Sequence, residues 1–232
     1  MHCIIASTST VHGSQYLEYL QPTLADHFKE VDDVIFVPYA RPSGISYDEY
    51  TKIAQSGFEA VGKKVTGIHT FDNTETAIKN AKAIFVGGGN TFLLVKTLHE
   101  LNLMSTLKSK IMSGTPYLGT SAGSNICGLN MQTTNDMPIV MPKSFETLGI
   151  IPFNINAHYV EPSPNSTHKG ETRRTRIKEF QNLNNINVLG LKEGSWLEVK
   201  QKIILKGELD AVWFEPEKEP KIVQPNSEIN FK

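Results

Sequence analysis

Gly119-Thr120-Ser121-Ala122-Gly123 follows the apolar run TPYLG and precedes SNICGL, a segment able to open a helix. This is G-x-S-x-G in a strand, turn and helix context, the arrangement that carries a serine nucleophile on a sharp bend above a sheet edge. Small flanking residues permit the bend and let a substrate come close, and the amide after the serine, that of Ala122, can donate to an oxyanion. Taken as a bare pattern, it also reads as a tight βα loop without chemistry. A second glycine-rich turn, Gly87-Gly88-Gly89-Asn90, ends the run AIFV and leads into TFLLVKTL. Neither GxGxxG nor GxxxxGK followed by Ser or Thr is present, so a phosphate cradle is the weaker reading. Bare amides at the carboxyl edge of an open sheet suit an oxyanion instead. The two turns would converge on one crevice, with one donor from Gly88 or Gly89 and one from Ala122.

A serine nucleophile requires a base. Seven histidines compete for that post: His2, His12, His27, His69, His99, His158 and His168. Most lie on helical or edge patterns. His158 lies in the strand-like run NINAHYV, which ends just before EPSPNS; this sets its imidazole at a strand end near the crevice and makes it the leading candidate. A carboxylate must then fix the imidazole tautomer. Asp136 would give the chain order Ser, Asp, His, whereas Glu193, after NVLGL, would give Ser, His, Glu. A strand-end position favours Glu193, although on its own it reads as a surface acid in a Lys-Glu-Gly turn.

The elements that must hold these residues alternate. Buried-strand runs occur at Cys3 to Ala6, Val34 to Val37, Val65 to Ile68, Ala83 to Val86, Pro116 to Leu118 and Val188 to Leu191. Between them, helical patterning predicts helices at Gln15 to Phe28, Tyr47 to Val61, Thr74 to Lys79, Thr91 to Leu98 and Leu101 to Met112. Such alternation predicts an α/β fold, with a mostly parallel sheet covered by helices on both faces. The stretch EGSWLEVKQKIILKGELDAVWFE alternates polar and apolar residues and is expected to form hairpins turning at Lys206-Gly207, a small antiparallel C-terminal edge of the same sheet. Trp196 and Trp213 are read as packing residues of these strands. Prolines 138, 142, 152, 162 and 164 break the middle into loops, and with no long linker, repeat or low-complexity tract the chain is expected to form one domain over 1–232.

At 232 residues the chain can bury about 70% of its unfolded surface, enough for a core without staples. With 39% hydrophobic and 20% charged residues it falls in the globular range, which excludes disordered and fibrous classes. The 23 Lys and Arg balance 24 Asp and Glu, so the electrostatic footprint of a nucleic-acid or membrane-surface binder is missing. Cys3 and Cys127 sit in apolar surroundings without metal-ligand spacing, which predicts reduced, buried thiols and no metal. The opening MHCIIASTST lacks a basic and long apolar leader, and no run approaches a membrane span, so the expected location is the cytoplasm.

FVGGGNTF, PYLGTSAGSN, INAHY, HKGETR and GLKEGSW, in that order over Ala83 to Trp196, together resemble the peptidase E family of serine peptidases, α-aspartyl dipeptidases grouped with cyanophycinase. The resemblance implies a fold like that of class I glutamine amidotransferases and hydrolysis of dipeptides with N-terminal aspartate, with no metal or organic cofactor. By motif position it implies Ser121 as nucleophile, His158 as base and Glu193 as acid, with Asp136 kept as a candidate behind them. It also sets the arginine of HKGETR on Arg173. Alone, HKGETRRTR reads as the basic face of a helix, and that reading stands for Arg174 and Arg176. A guanidinium fork at Arg173, however, would match an aspartyl carboxylate bidentately and reject uncharged residues by about 10⁴ or more. Glutamate, one methylene longer, would push the scissile carbonyl away from Ser121. Asn90 or Glu171 could hold the substrate amino group, and the loop Glu161 to Ser166 could wall off the cleft. The expected partner is a small aspartyl peptide, bound by a monomer or homodimer. Two rivals stand beside this reading: a cyanophycinase-like or isoaspartyl hydrolase acting on β-linked aspartyl bonds, and a catalytically silent module that binds an acidic metabolite.

Overall fold

The computed structural model describes residues 1–161 and 170–231. Strands β1 (Cys3–Ala6), β2 (Asp33–Val37), β3 (Lys64–Gly67), β4 (Ile84–Val86) and β5 (Tyr117–Thr120) alternate with helices α1 (Gln21–His27), α2 (Tyr47–Glu59), α3 (Thr74–Asn80), α4 (Thr91–Glu100) and α5 (Met104–Met112). The chain continues through α6 (Ala122–Asn125), β6 (Asn154–Ala157), α7 (Arg173–Leu183), β7 (Val188–Leu191), β8 (Trp196–Val199), β9 (Ile203–Lys206), β10 (Ala211–Phe214) and β11 (Lys221–Val223). A seven-stranded sheet runs in the order β3-β2-β4-β5-β1-β8-β9. Its first five strands are parallel, and β8 and β9 close the edge antiparallel.

The alternation of side chains along each strand assigns the two faces. Ile4 and Ala6 of β1 join Val34, Phe36, Phe85 and Leu118 in one apolar layer, which Leu24 of α1, Phe28 and Tyr50, Ala54 and Phe58 of α2 cover. Cys3 and Ile5 point the other way, toward Leu94, Leu98, Leu107 and Ile111 of α4 and α5. Being apolar on both faces, β1 is fully buried, as a central parallel strand must be. Helix starts follow side-chain capping: Ser46 and Glu49 form a reciprocal box on α2, and Asn73, Asn90 and Thr172 cap α3, α4 and α7.

Three features differ from the expectations above. Val188–Leu191 and the C-terminal strands do not all extend the large sheet: β6, β7, β10 and β11 form a second, four-stranded sheet in the order β11-β10-β7-β6. An apolar run buried on both faces reads the same in either sheet, so its pattern does not say which it joins. Residues of this second sheet, Ile155, Leu189, Leu191 and Trp213, share the apolar layer that contains Cys3 and Ile5. The hairpin between β8 and β9 turns at Lys200 to Lys202, where the Lys200 amide donates to the Lys202 carbonyl at 3.0 Å. Gly207, at φ +102°, instead carries the chain across to the second sheet. Finally, α1 and α5 begin later than their patterning predicts, because Leu17 (φ 59°) and Asn102 (φ 55°) break the backbone in the left-handed region just upstream.

His27, the last residue of α1, is buried, and its Nε2 lies 3.1 Å from the Tyr117 carbonyl oxygen, so the neutral ring donates there. Burial first, then the proximity of His2, pulls its pKa from 6.5 down to about 3, with Lys200 adding to the fall and Asp26 opposing it. A folded pKa below the unfolded one means that the unfolded chain gains protons first; this part of the stability is present above pH 6.5 and is lost as pH falls below it. Going from pH 8 to pH 5 should therefore remove about 2 kcal/mol through this residue. His27→Gln, which keeps a donor but cannot titrate, should show a shallower loss in urea unfolding at the two pH values; parallel losses in both proteins would refute the assignment.

Candidate active site

The turn after β5 is sharp. Ser121 adopts φ 53° and ψ −110°, a conformation that costs a non-glycine residue on the order of 1–3 kcal/mol and persists only where its surroundings impose it. Here they do. The Ser121 amide donates to the Ala6 carbonyl at 3.1 Å, and the Ser121 carbonyl accepts from the amides of Ser124 and Asn125 at 2.9 Å each. The buried Ser124 hydroxyl sits 2.6 Å from the Ala6 oxygen and 2.8 Å from that of Gly119. The Tyr117 hydroxyl donates to the Gly123 carbonyl at 2.6 Å. A Cβ on Gly123 would lie 2.2 Å from the Val86 oxygen, so glycine there lets α6 pass against β4 and aims the serine outward.

The candidate base and acid come from the second sheet. β6 and β7 are parallel and in register, with Ala157 beside Leu191, so the residues just past their carboxyl ends emerge together. His158 turns out of β6 at φ 55°. Its Nε2 lies 2.8 Å from the Ser121 Oγ, and its Nδ1 lies 2.6 Å from Glu193 Oε1. A carboxylate only accepts, so Nδ1 carries the proton and Nε2 is free to accept from the serine hydroxyl. About a third of the His158 side chain and half of that of Glu193 are exposed, which leaves the line open to a ligand.

Beside the serine lies the triglycine turn. A Cβ on Gly88 would stand 2.9 Å from the Ser121 Cβ, whereas Gly89, at φ +140°, lies against the Ala40 carbonyl. The Tyr50 hydroxyl donates to the Gly88 carbonyl at 2.9 Å, and the Asn90 amide donates to the Ala40 carbonyl at 2.7 Å, which holds the turn from both ends. Among the described residues the amides of Gly88, Gly89 and Ala122 have no acceptor. Of the two glycines, Gly88 is the one packed on the serine side chain.

The remaining sequence candidates separate. Asn90 is occupied structurally: its Oδ1 accepts from the Leu93 amide at 3.1 Å and its Nδ2 donates to the Met137 carbonyl at 2.9 Å. Asp136 Oδ2 accepts from the Thr91 amide at 2.7 Å and the Thr134 hydroxyl at 3.0 Å, so it caps α4, and the acid on His158 is Glu193. Glu171 stands 3.8 Å from Arg176, and Arg174 is 3.4 Å from Glu161. Arg173, the first residue of α7, is half-buried, and among the described residues it has no ion pair. Burial and Arg176 pull its pKa down, while Glu193 and Asp136 push it up, so it lies within electrostatic reach of both acids. Most of the stretch proposed as a cleft wall, 162–166, and His168 fall outside the described residues. Cys3 and Cys127 are buried free thiols, and burial pushes both upward in pKa, Cys3 to about 12, which leaves them protonated and unreactive.

Side chains that brace the backbone around His158 have no signal in the sequence. Asn125 Oδ1 accepts from the Ala157 amide at 3.3 Å, and Asn135 Nδ2 donates to the Ala157 carbonyl at 2.8 Å. The Ser7 hydroxyl accepts from the His158 amide at 2.8 Å. Each contact joins residues far apart in the chain. Among the described residues, no group of three His, Cys, Asp or Glu could hold a metal ion, and no helix is long and apolar enough to cross a membrane.

Known proteins resemble this chain along nearly its whole length. The profile of peptidase family S51 matches residues 3–206. A Drosophila melanogaster protein named "Probable alpha-aspartyl dipeptidase" is 41% identical, the match covering 98% of this chain and 95% of that one. Peptidase E of Streptomyces coelicolor is 42% identical over 99% of this chain and 94% of its own. The crystal structure of a peptidase from an acI-B1 actinobacterium superposes with a TM-score of 0.73 at 15% identity, covering 99% of this chain and 96% of that one.

Proposed function

The chain belongs to peptidase family S51, and from that premise we propose that it hydrolyses dipeptides with N-terminal aspartate through an acyl-enzyme on Ser121. The observation that carries the reading is the unbroken line from the Ser121 hydroxyl through the His158 ring to the Glu193 carboxylate, at 2.8 and 2.6 Å. Its relatives named for α-aspartyl dipeptides and peptidase E support the choice of substrate.

The steps follow from the atoms in place. His158 Nε2 takes the serine proton as Oγ attacks the peptide carbonyl, and Glu193 stabilises the imidazolium that forms. The carbonyl oxygen, now an oxyanion, enters the space before the amides of Ala122 and Gly88, which are free of acceptors among the described residues. His158 hands its proton to the leaving amine, and the same groups then activate water to release aspartate. Arg173 receives the aspartyl side-chain carboxylate as a fork. We extend the reading to a single-domain cytoplasmic enzyme, monomeric or homodimeric, that engages neither nucleic acid nor membrane; the net charge of −1 and the buried thiols support it.

The test is a panel of Asp-Leu, β-linked Asp-Leu, Glu-Leu and Leu-Leu with purified protein. Preference for α-linked Asp-Leu is the expected result. Equal rates across the panel would remove the substrate assignment, and preference for the β-linked isomer would move it to isoaspartyl bonds. The same assay ranks the two acids. Glu193→Gln should lower kcat by about 10³-fold or more, since the ring loses its tautomer lock. Asp136→Asn should retain kcat within about tenfold and lose about 1 kcal/mol of stability as a weakened helix cap. Reversed magnitudes would exchange the two roles.

A further inference from the structure

His158 is held at its backbone as well as at its ring. Because β6 ends at Ala157 and His158 bends to φ 55°, its amide leaves the sheet ladder and has no strand carbonyl to meet. The Ser7 side chain supplies the partner. Ser7 follows β1 directly, is completely buried, and its amide donates to the Ser195 carbonyl at 3.0 Å. Its Oγ accepts the His158 N–H at 2.8 Å and donates its own proton to the Leu191 carbonyl at 2.7 Å. Leu191 is the last residue of β7, two before Glu193, and its carbonyl also accepts the Tyr159 amide at 3.1 Å.

One hydroxyl therefore ties the end of β1, an internal strand of the large sheet whose Ala6 carbonyl holds the nucleophile's amide, to the strand ends that carry base and acid. Only a group that both accepts and donates can serve the His158 N–H and the Leu191 C=O at once. A hydroxyl does so; a methyl leaves the His158 N–H without an acceptor and the Leu191 carbonyl with the Tyr159 amide alone, and a thiol meets both weakly. Resting on the reading of His158 as the base, we infer that Ser7 is a positioning residue: it sets the height of the imidazole over Ser121 and the approach of Glu193 to it. It touches neither the substrate nor the reacting atoms. Its effect should therefore appear in kcat and not in recognition of aspartate.

The experiment compares wild type, Ser7→Ala and Ser7→Thr in Asp-Leu hydrolysis, in inhibition by free aspartate, and in the rate at which a small fluorophosphonate inactivates Ser121. A misplaced imidazole on the order of 1 Å costs up to about 10²-fold in rate. Ser7→Ala should thus lose about 10- to 100-fold in both kcat and inactivation rate while the aspartate inhibition constant stays within about twofold. Ser7→Thr, which restores the hydroxyl, should recover most of the loss. If Ser7→Ala does not fold, Ser7→Cys takes its place under the same criteria. Wild-type kcat in Ser7→Ala, a kcat loss matched by an equal loss of aspartate affinity, or failure of Ser7→Thr to recover would each overturn the inference. Ser121→Ala run alongside separates the two levels: if it keeps full activity, the serine mechanism itself is at fault, whereas Ser121-dependent turnover with an indifferent Ser7 removes only this assignment.

Discussion

Ser121→Ala is expected to lower kcat for Asp-Leu by about 10⁴-fold or more, because the covalent route disappears and only binding and oxyanion stabilisation remain. The fold should be indifferent to the change. Alanine meets the same strain at φ 53° as serine does, and the hydrogen bonds that impose the turn run through the backbone of residue 121; among the described residues its Oγ hydrogen-bonds only to the His158 ring. Thermal unfolding should therefore match wild type, and inhibition by aspartate should persist. Leucine release measured by amine derivatisation gives the rate. A variant that keeps more than about 1% of wild-type kcat would point to water attack without an acyl-enzyme, which the arithmetic of triad removal does not allow.

Arg173→Met should give the second large effect, a fall of about 10³ to 10⁴ in kcat/KM for Asp-Leu with little change for Leu-Leu. This guanidinium is half-buried, within electrostatic reach of Glu193 and Asp136, yet has no ion pair among the described residues. It is thus partly stripped of water without a paired carboxylate among the described residues, an arrangement that favours binding an anion over stabilising the fold. Arg173→Lys should recover only part of the loss, since an ammonium is a point charge and cannot present two parallel N–H groups to a carboxylate. Steady-state kinetics on both dipeptides decide it. If Arg173→Met hydrolyses Asp-Leu as well as wild type does, another group reads the aspartate. Unfolding temperature should change little in either variant, which separates loss of recognition from loss of structure.

Much of this site is legible before any coordinates are seen. The five parallel strands announce themselves as short apolar runs, and the glycine-flanked Ser121 stands where a strand gives way to a helix. His158 and Glu193 are found by asking which polar residues lie just past a strand's carboxyl end, a question the βα alternation makes meaningful. What the chain conceals is of another kind. Val188–Leu191 looks identical whichever sheet receives it. Asn90 follows three glycines at a crevice and so looks like a ligand, but its position also makes it a helix cap, and the local requirement of α4 prevails. Asp136 lies 45 residues from the amide it caps. Ser7 lies 151 residues from His158 and 184 from Leu191. No periodicity or spacing reports pairings that exist only once two sheets have docked.

That docking has a temporal side. Serine, histidine and glutamate arrive in that order, and the strands that carry the latter two rest on β10 and β11, which come later still. A chain leaving the ribosome can complete β1 to β5, elbow included, long before its imidazole has anything to lean on. Until β6 and β7 form, the Ser121 hydroxyl therefore lacks the His158 ring that stands 2.8 Å from it in the folded chain. On the proposed mechanism, hydrolysis then waits on the docking of the second sheet, which alone brings a proton acceptor to the serine.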